Sequence, residues 1–302
     1  MDVVNFVSGD TAFDLDVLGS STFNIPMVSS PDDLIAISAT PSVITPYVAT
    51  KSFLFNGVDD AFTMGYQRDQ SNRNLGFASS FSFWFKRTIA DGVGRTVISK
   101  RDIGGFQGGF HIYFNPIDDQ LVFRFVQHLP LSLFLEHQSD DNRFLVTGDW
   151  IHALVTYDGS NIAAGIKIYI NGLVLPLDIK SDTTTVIKGN STEMFSVGRQ
   201  FEQAGTFSAY GGNIDNIAHI NRVVTPSEAT QMFALGVPPD LRLIFPDGGL
   251  ALPNSNLIKY LIADEQQASN HPAITDSSVY KNHGHYTGIS NFDTLIVNDA
   301  AA

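Results

Sequence analysis

The chain has 302 residues, 43% hydrophobic and 16% charged, a balance that excludes a disordered polymer and leaves room for one large domain or two smaller ones. Thirty-one acidic against 18 basic residues give a net charge of -13, which disfavours binding to a phosphate backbone, and the lack of cysteine excludes disulfides and thiolate metal sites. The start MDVVNFVSGD has no basic segment of the kind an export signal needs, and no run reaches the ~18 apolar residues of a membrane span. The expectation is therefore assembly in the cytoplasm, with no nucleic acid bound and no membrane insertion.

Residues 1–48 contain no Lys or Arg and carry Pro26, Pro31, Pro41 and Pro46. Proline cannot donate to a sheet ladder, so this stretch is predicted to be an extended arm, with short strands at most at Thr22–Ile25 and Val43–Thr45. Ser52–Phe55 reads as a strand running into an Asn56-Gly57 turn, with Val58–Met64 beyond it. Phe81, Phe83 and Phe85 alternate with Ser82, Trp84 and Lys86, the period-two pattern of a strand with one buried face. Arg95–Lys100, Phe110–Phe114 and Leu121–Val126 continue as a meander through a Gly-rich loop at 104–109 and a turn at Asp118-Asp119.

Residues 148–174, GDWIHALVTYDGSNIAAGIKIYINGLV, contain two more alternating strands. They are joined through Asp158–Asn161 and closed by Asn171-Gly172, a strong hairpin signal. One helix is predicted. Thr225-Pro226-Ser227-Glu228 is a capping box, Ala229, Met232, Phe233 and Leu235 form an apolar face, and Gly236, Pro238 and Pro239 stop the helix. Many short strands between turn signals argue for an all-β fold, an antiparallel β-sandwich or a barrel, with its main domain over residues 49–236. An arm (1–48) precedes it and a Pro-, Gly- and Asn-rich extension (237–302) follows.

Four blocks resemble the laminin-G-like family of concanavalin A-like jelly rolls found in bacterial surface and bacteriophage proteins. They are SFLFNGVDDAFTMG (52–65), SFSFWFKR (80–87), the 148–174 block, and GNIDNIAHINRVVTPSEATQMFALG (212–236). A fifth segment, DSSVYKNHGHYTG (276–288), is similar to extensions in structural proteins of tailed phages, notably marine ones, but departs from them at Val279-Tyr280-Lys281 and His285. The resemblance implies a non-enzymatic virion protein, a capsid decoration or head fibre at the virion surface. Its partners would be phage capsid or tail proteins, and it would be a homo-oligomer such as a trimer. The alternative it implies is a carbohydrate-binding adhesion or tail receptor-binding module for host or environmental glycans.

Catalytic patterns are missing from the sequence. Glycosidases on this scaffold carry Glu-x-Asp-x-x-Glu along one strand, whereas Glu136, Glu193, Glu202, Glu228 and Glu265 each lack a second carboxylate at that spacing. No Gly-x-Ser-x-Gly elbow, phosphate loop or His-Glu-x-x-His helix occurs. Calcium is the expected cation if one binds, with candidate ligands in the acidic turns Asp59-Asp60, Asp118-Asp119 and Asp140-Asp141, a pattern that is also ordinary turn chemistry. Tyr66, Phe106, Phe134 and Tyr210 are the aromatic candidates for stacking on a glycan. His283 and His285, with Asp276, are a weaker metal candidate, while His111, His152 and His219 fall inside predicted strands and read as structural.

Overall fold

The computed structural model describes residues 49–64, 78–89, 92–101, 109–117, 119–128, 133–139, 148–182, 194–200, 207–234, 236–244, 257–266, 273–278, 283–287 and 296–299. The predicted arm, with its two short strands, lies outside these residues. In chain order the first strands are β1 (Ser52–Asn56), β2 (Ala61–Met64), β3 (Ser79–Arg87), β4 (Gly94–Arg101), β5 (Gly109–Phe114) and β6 (Leu121–His128). Then come β7 (Leu133–Ser139), β8 (Ile151–Tyr157), β9 (Ile166–Ile170), β10 (Leu173–Val174), β11 (Leu177–Asp182) and β12 (Phe195–Val197). β13 (Phe207–Ala209) and β14 (Gly211–Ile220) lead into helix α1 (Pro226–Phe233) and the short α2 (Leu241–Ile244). The last strands are β15 (Leu257–Leu261), β16 (Ala273–Ile274), β17 (Gly284–Thr287) and β18 (Ile296–Val297).

These strands form two sheets. One has the order β10-β9-β8-β3-β14-β1-β18, and the other β11-β7-β6-β5-β4-β12-β2-β17-β16. β14 organises the first. Along one side it pairs with β3, and along the other it pairs first with β1 through residues 211–214 and then with β15 through residues 217–220. A bulge between Asp215 and Ala218, within which Asn216 has φ 51°, separates the two partners. The second sheet repeats the device on a smaller scale, because β4 carries β13 and β12 one after the other along one side.

The alternation read from the sequence decides what packs between the sheets. Phe81, Phe83 and Phe85 of β3 point inward with Phe53 and Phe55 of β1, against Phe62, Phe110, Phe114, Phe123 and Phe125 of the other sheet. Two arginines close one end of this aromatic core. Arg87 lies 4.3 Å over the Phe114 ring and pairs with Asp119 at 2.6 Å. Arg95 donates to the carbonyls of Gly57 and Ala209, each at 2.7 Å.

Trp84 and Leu154 face the other way, into a second apolar cluster that Ala229 and Met232 of α1, Leu241 of α2 and Tyr260 of β15 cover. The capping box predicted for α1 is present. Glu228 N donates to Thr225 Oγ1, Thr225 N donates back to Glu228 Oε2, and Arg222 grips both carboxylate oxygens of Glu228. At the Asn171-Gly172 turn both residues take positive φ, as the two-residue hairpin between β9 and β10 requires.

The segment read as an extension supplies strands to both sheets. β15 and β18 join the first, and β16 and β17 extend the second beyond β2. The physical reason is edge pairing: without them one side of β2 and much of one side of β1 and β14 would present bare amides and carbonyls.

Candidate functional site

Three loops meet at the arginine end of the sandwich. The β1–β2 loop reaches Arg95 through Gly57 O, and a Cβ added to Gly57 would lie 2.6 Å from Ile89, just beyond β3. The β5–β6 turn reaches Arg87 through Asp119, and Arg87 also donates to Ile89 O at 3.0 Å. The rim therefore holds three of the calcium candidates, Asp59, Asp60 and Asp119, but each carboxylate has a structural partner there. Asp60 is buried, accepting from Asn56 N at 2.9 Å and from the Tyr286 hydroxyl at 2.5 Å. Asp59 accepts from Asn56 Nδ2 at 2.8 Å, and Asn56 Oδ1 in turn accepts from the amides of Val58 and Asp59.

Among the described residues no three His, Asp or Glu side chains come together as a metal donor set. Asp118, Asp140 and Asp141 lie outside those residues. Asp276, the acid weighed with His283 and His285, is fully buried. Its carboxylate accepts from Tyr260 N, Ser278 N and Ser278 Oγ, all at 2.9 Å. Its own amide donates to His283 Nδ1 at 3.1 Å, and the two imidazoles sit at the surface. This is a clasp that holds the C-terminal segment in place.

The aromatic glycan candidates divide in the same way. Tyr210 has 0% exposure, its ring packs near Phe55 and Phe114, and burial pushes its hydroxyl pKa far up. It is a core residue and offers no face to a sugar, a correction that follows from its position immediately before β14, where the chain turns inward between the sheets. Tyr66 and Phe106 lie outside the described residues. Phe134 falls within β7, with its side chain outside them.

The outer face of the larger sheet carries a pattern that the sequence could not display. Strand register places Arg124 of β6 opposite His111 of β5, His111 opposite Ser99 of β4, and Ser99 opposite Ser196 of β12. The row continues from Ser196 to Thr63 of β2 and from Thr63 to His285 of β17. Six neighbouring strands thus each contribute one polar residue to a line across the sheet. His111 Nε2 shares a 2.9 Å hydrogen bond with Thr96 Oγ1, its ring stacks 4.5 Å from Tyr113, and the Arg124 guanidinium lies 5.3 Å over that same tyrosine. The middle of the row is buried, and the residues that reach solvent are Arg124, in part, and His285 at the far end. Each member sits at an ordinary outward position of its own strand, so only the pairing between strands reveals the row.

The two-sheet jelly roll and its sequence fit one family. Residues 56–230 match the family profile of the concanavalin A-like lectin/glucanase superfamily, of laminin-G type. The chain belongs to this superfamily. No curated protein matches the sequence significantly.

Among solved structures, a Bacteroides ovatus protein described as carbohydrate binding superposes with a TM-score of 0.52 at 14% identity, over 83% of this chain. The superposition covers 60% of that protein's length. The Ruminococcus gnavus IT-sialidase CBM40 bound to α2,3-sialyllactose gives a TM-score of 0.41 at 14% identity, over 60% of this chain and 96% of its own. Domain 4 of an extracellular arabinanase from Geobacillus stearothermophilus, in complex with arabinotriose, gives 0.39 at 16% identity, over 60% and 75%. At such identities the likeness concerns the fold.

Proposed function

We propose that this chain is a non-catalytic glycan-binding module that uses the outer face of its larger sheet. The observation that carries the reading is the six-strand polar row from Arg124 to His285 on a superfamily scaffold. The Arg124 guanidinium and the His285 imidazole, at the two ends of the row, supply hydrogen-bonding groups of the kind that sugar hydroxyls need. Arg124 and His285 are the groups a glycan would meet first, because both reach solvent.

The test is a glycan array with the full chain, with and without calcium, followed by titration of the best ligand against Arg124→Ala and His285→Ala. Affinity should fall about tenfold in each variant, the loss of roughly one hydrogen bond to a charged group. A blank array in both conditions would defeat the reading, and release of reducing ends from the bound glycan would defeat its non-catalytic part. Calcium at the acidic turns belongs to the proposal too, and a melting temperature unmoved by calcium or chelator would count against it.

The finer setting proposed is a homo-oligomer on a phage particle, in contact with capsid or tail proteins. The segment 276–288 motivates it, through its similarity to extensions of phage structural proteins. Copy number in a purified particle decides the role: hundreds per virion support decoration, a handful supports a tail receptor-binding role, and none removes the setting.

A further inference from the structure

The bulge in β14 joins the sandwich to the segment 257–266 through two adjacent side chains. Asp215 Oδ1 accepts from Ala263 N, just past β15, at 3.0 Å. Asn216 Nδ2 donates to the Tyr260 hydroxyl at 2.9 Å and to Pro239 O at 3.0 Å, and Leu241 N donates to that same hydroxyl. The bulge therefore fastens both β15 and the stretch of chain leading to it. Both side chains have 0% exposure, and among the described residues neither Asp215 Oδ2 nor Asn216 Oδ1 has a hydrogen-bond partner.

These two orphans are acceptors on neighbouring residues. A buried carboxylate oxygen without a donor is costly, and a proton on it converts one of two acceptors into a donor. Among the described residues no cation acts on the charge of Asp215. Asp264, in the turn after β15, is the charge acting on it, and the sign is the same. The remaining titratable groups on the elements packed around it are already engaged or point elsewhere. Lys86 on β3 pairs with Asp299, and His152 on β8 shares a bond with Ser82. Tyr260 bonds Pro239 O, Arg242 pairs with Asp240, Asp276 holds the Tyr260 amide, and Lys259 lies near the Phe195 ring on the opposite face of β15.

We propose that Asp215 is a proton-operated fastener: taking up a proton at its carboxyl tightens the hold of the segment 257–266 on the sandwich, and losing that proton loosens it. The sign follows from linkage. Docking the segment buries the carboxyl, so the docked form binds the proton more tightly, and the proton must in turn favour docking. Burial pushes the pKa of Asp215 up to about 7 in the folded chain, against an ordinary value of 3.8, which places the change near neutrality. Fastening is therefore strongest below the ordinary carboxyl range and is lost as pH rises through about 7.

Hydrogen exchange of the full chain tests this at about pH 8 and about pH 6, with rates corrected for intrinsic base catalysis. Protection of the amides of residues 257–263 should rise about tenfold on going to the lower pH, while that of β5 and β6 should not change. Asp215→Asn, which keeps the shape and removes the charge, should be protected equally at both values. Unchanged protection in the parent chain, or the same tenfold rise in the variant, would overturn the proposal. Should the variant not fold, the carboxyl carbon resonance of Asp215 in the parent chain decides: titration near 7 supports the fastener, and ionisation complete below about pH 5 removes it.

Discussion

Asp215, Trp84 and His152 stand side by side on three adjacent strands, and burial acts on the two titratable members in opposite senses. It raises the carboxyl of Asp215 to about 7 and lowers the imidazole of His152 to about 3. For Asp215 the folded chain holds a proton that the unfolded chain has shed, so its contribution to stability is full below 3.8 and lost as pH rises through about 7. For His152 the unfolded chain takes the proton, so stability is full above 6.5 and declines as pH falls towards about 3. Between those limits the slopes oppose each other. The parent chain should show a melting temperature nearly level from about pH 4 to 6.5, whereas Asp215→Asn should lose stability steadily on acidification and His152→Gln should gain it, all read by scanning calorimetry. Gly198 makes a sharper demand. At φ 86° its missing Cβ would lie 2.2 Å from the Phe55 ring, so Gly198→Ala should cost about 2–3 kcal/mol in a urea titration, through both strain and overpacking. Neither effect was legible in the sequence, where His152 reads as one more strand residue and no motif marks Gly198. Burial and close approach come from partners distant in the chain.

The start of helix α1 was legible to the residue, because a capping box is a local signal: the atoms that cap its first turn belong to residues three apart. Thr225→Ala should lower stability by about 1 kcal/mol, a drop of roughly 2–4 °C in melting temperature for a chain of this size. What α1 covers was not legible. Trp84 was assigned correctly to the face opposite Phe81, Phe83 and Phe85, but that this face is a second core, with Trp84 stacked on Phe233 at 5.7 Å, depends on the helix folding back over the sheet. The edge strands show the same division. β10 is two residues long and Pro176 follows it, while β11 bulges between Ile179 and Ser181, where Lys180 stands exposed. These are devices that keep an edge from pairing with another molecule, and they are needed because Leu173, Val174 and Ile179 are 71%, 56% and 47% exposed. Lys180→Val should accordingly raise the scattering mass with protein concentration, and a variant as monodisperse as the parent would show that the bulge alone suffices. Of the glycan and calcium candidates, those in loops were chosen by residue type, and type does not reveal that Tyr210 turns inward or that Asp60 meets Tyr286.

At the scale of the molecule the all-β class could be read from alternation, since period-two patterning fixes which side of each strand is buried, while the choice of a sandwich over a barrel came from the resemblance of the four blocks to a known family. The larger limit was the order of strands within each sheet, because pairing joins residues far apart in the chain. β2 pairs with β17 and β1 with β18, so that Ser52 meets Val297 and Ala61 meets Thr287. A chain cut before Leu257 should therefore bind a hydrophobic dye strongly and lose its sharp thermal transition, because the cut would strip both sheets of edge partners and take Leu257, Tyr260 and Ile262 out of the second apolar cluster. The same pairing bears on how the protein is made. β1 and β2 are the first described strands to leave the ribosome, and their partners β18 and β17 are the last. At about 5–20 residues per second, the interval of more than 200 residues between them takes roughly 10–45 s. Throughout that time two nascent aromatic strands wait with an open edge, long enough for a neighbouring chain on the same polysome to supply the missing strand. Yield from a cell should therefore depend on translation speed and chaperone supply more than on the stability of the finished sandwich.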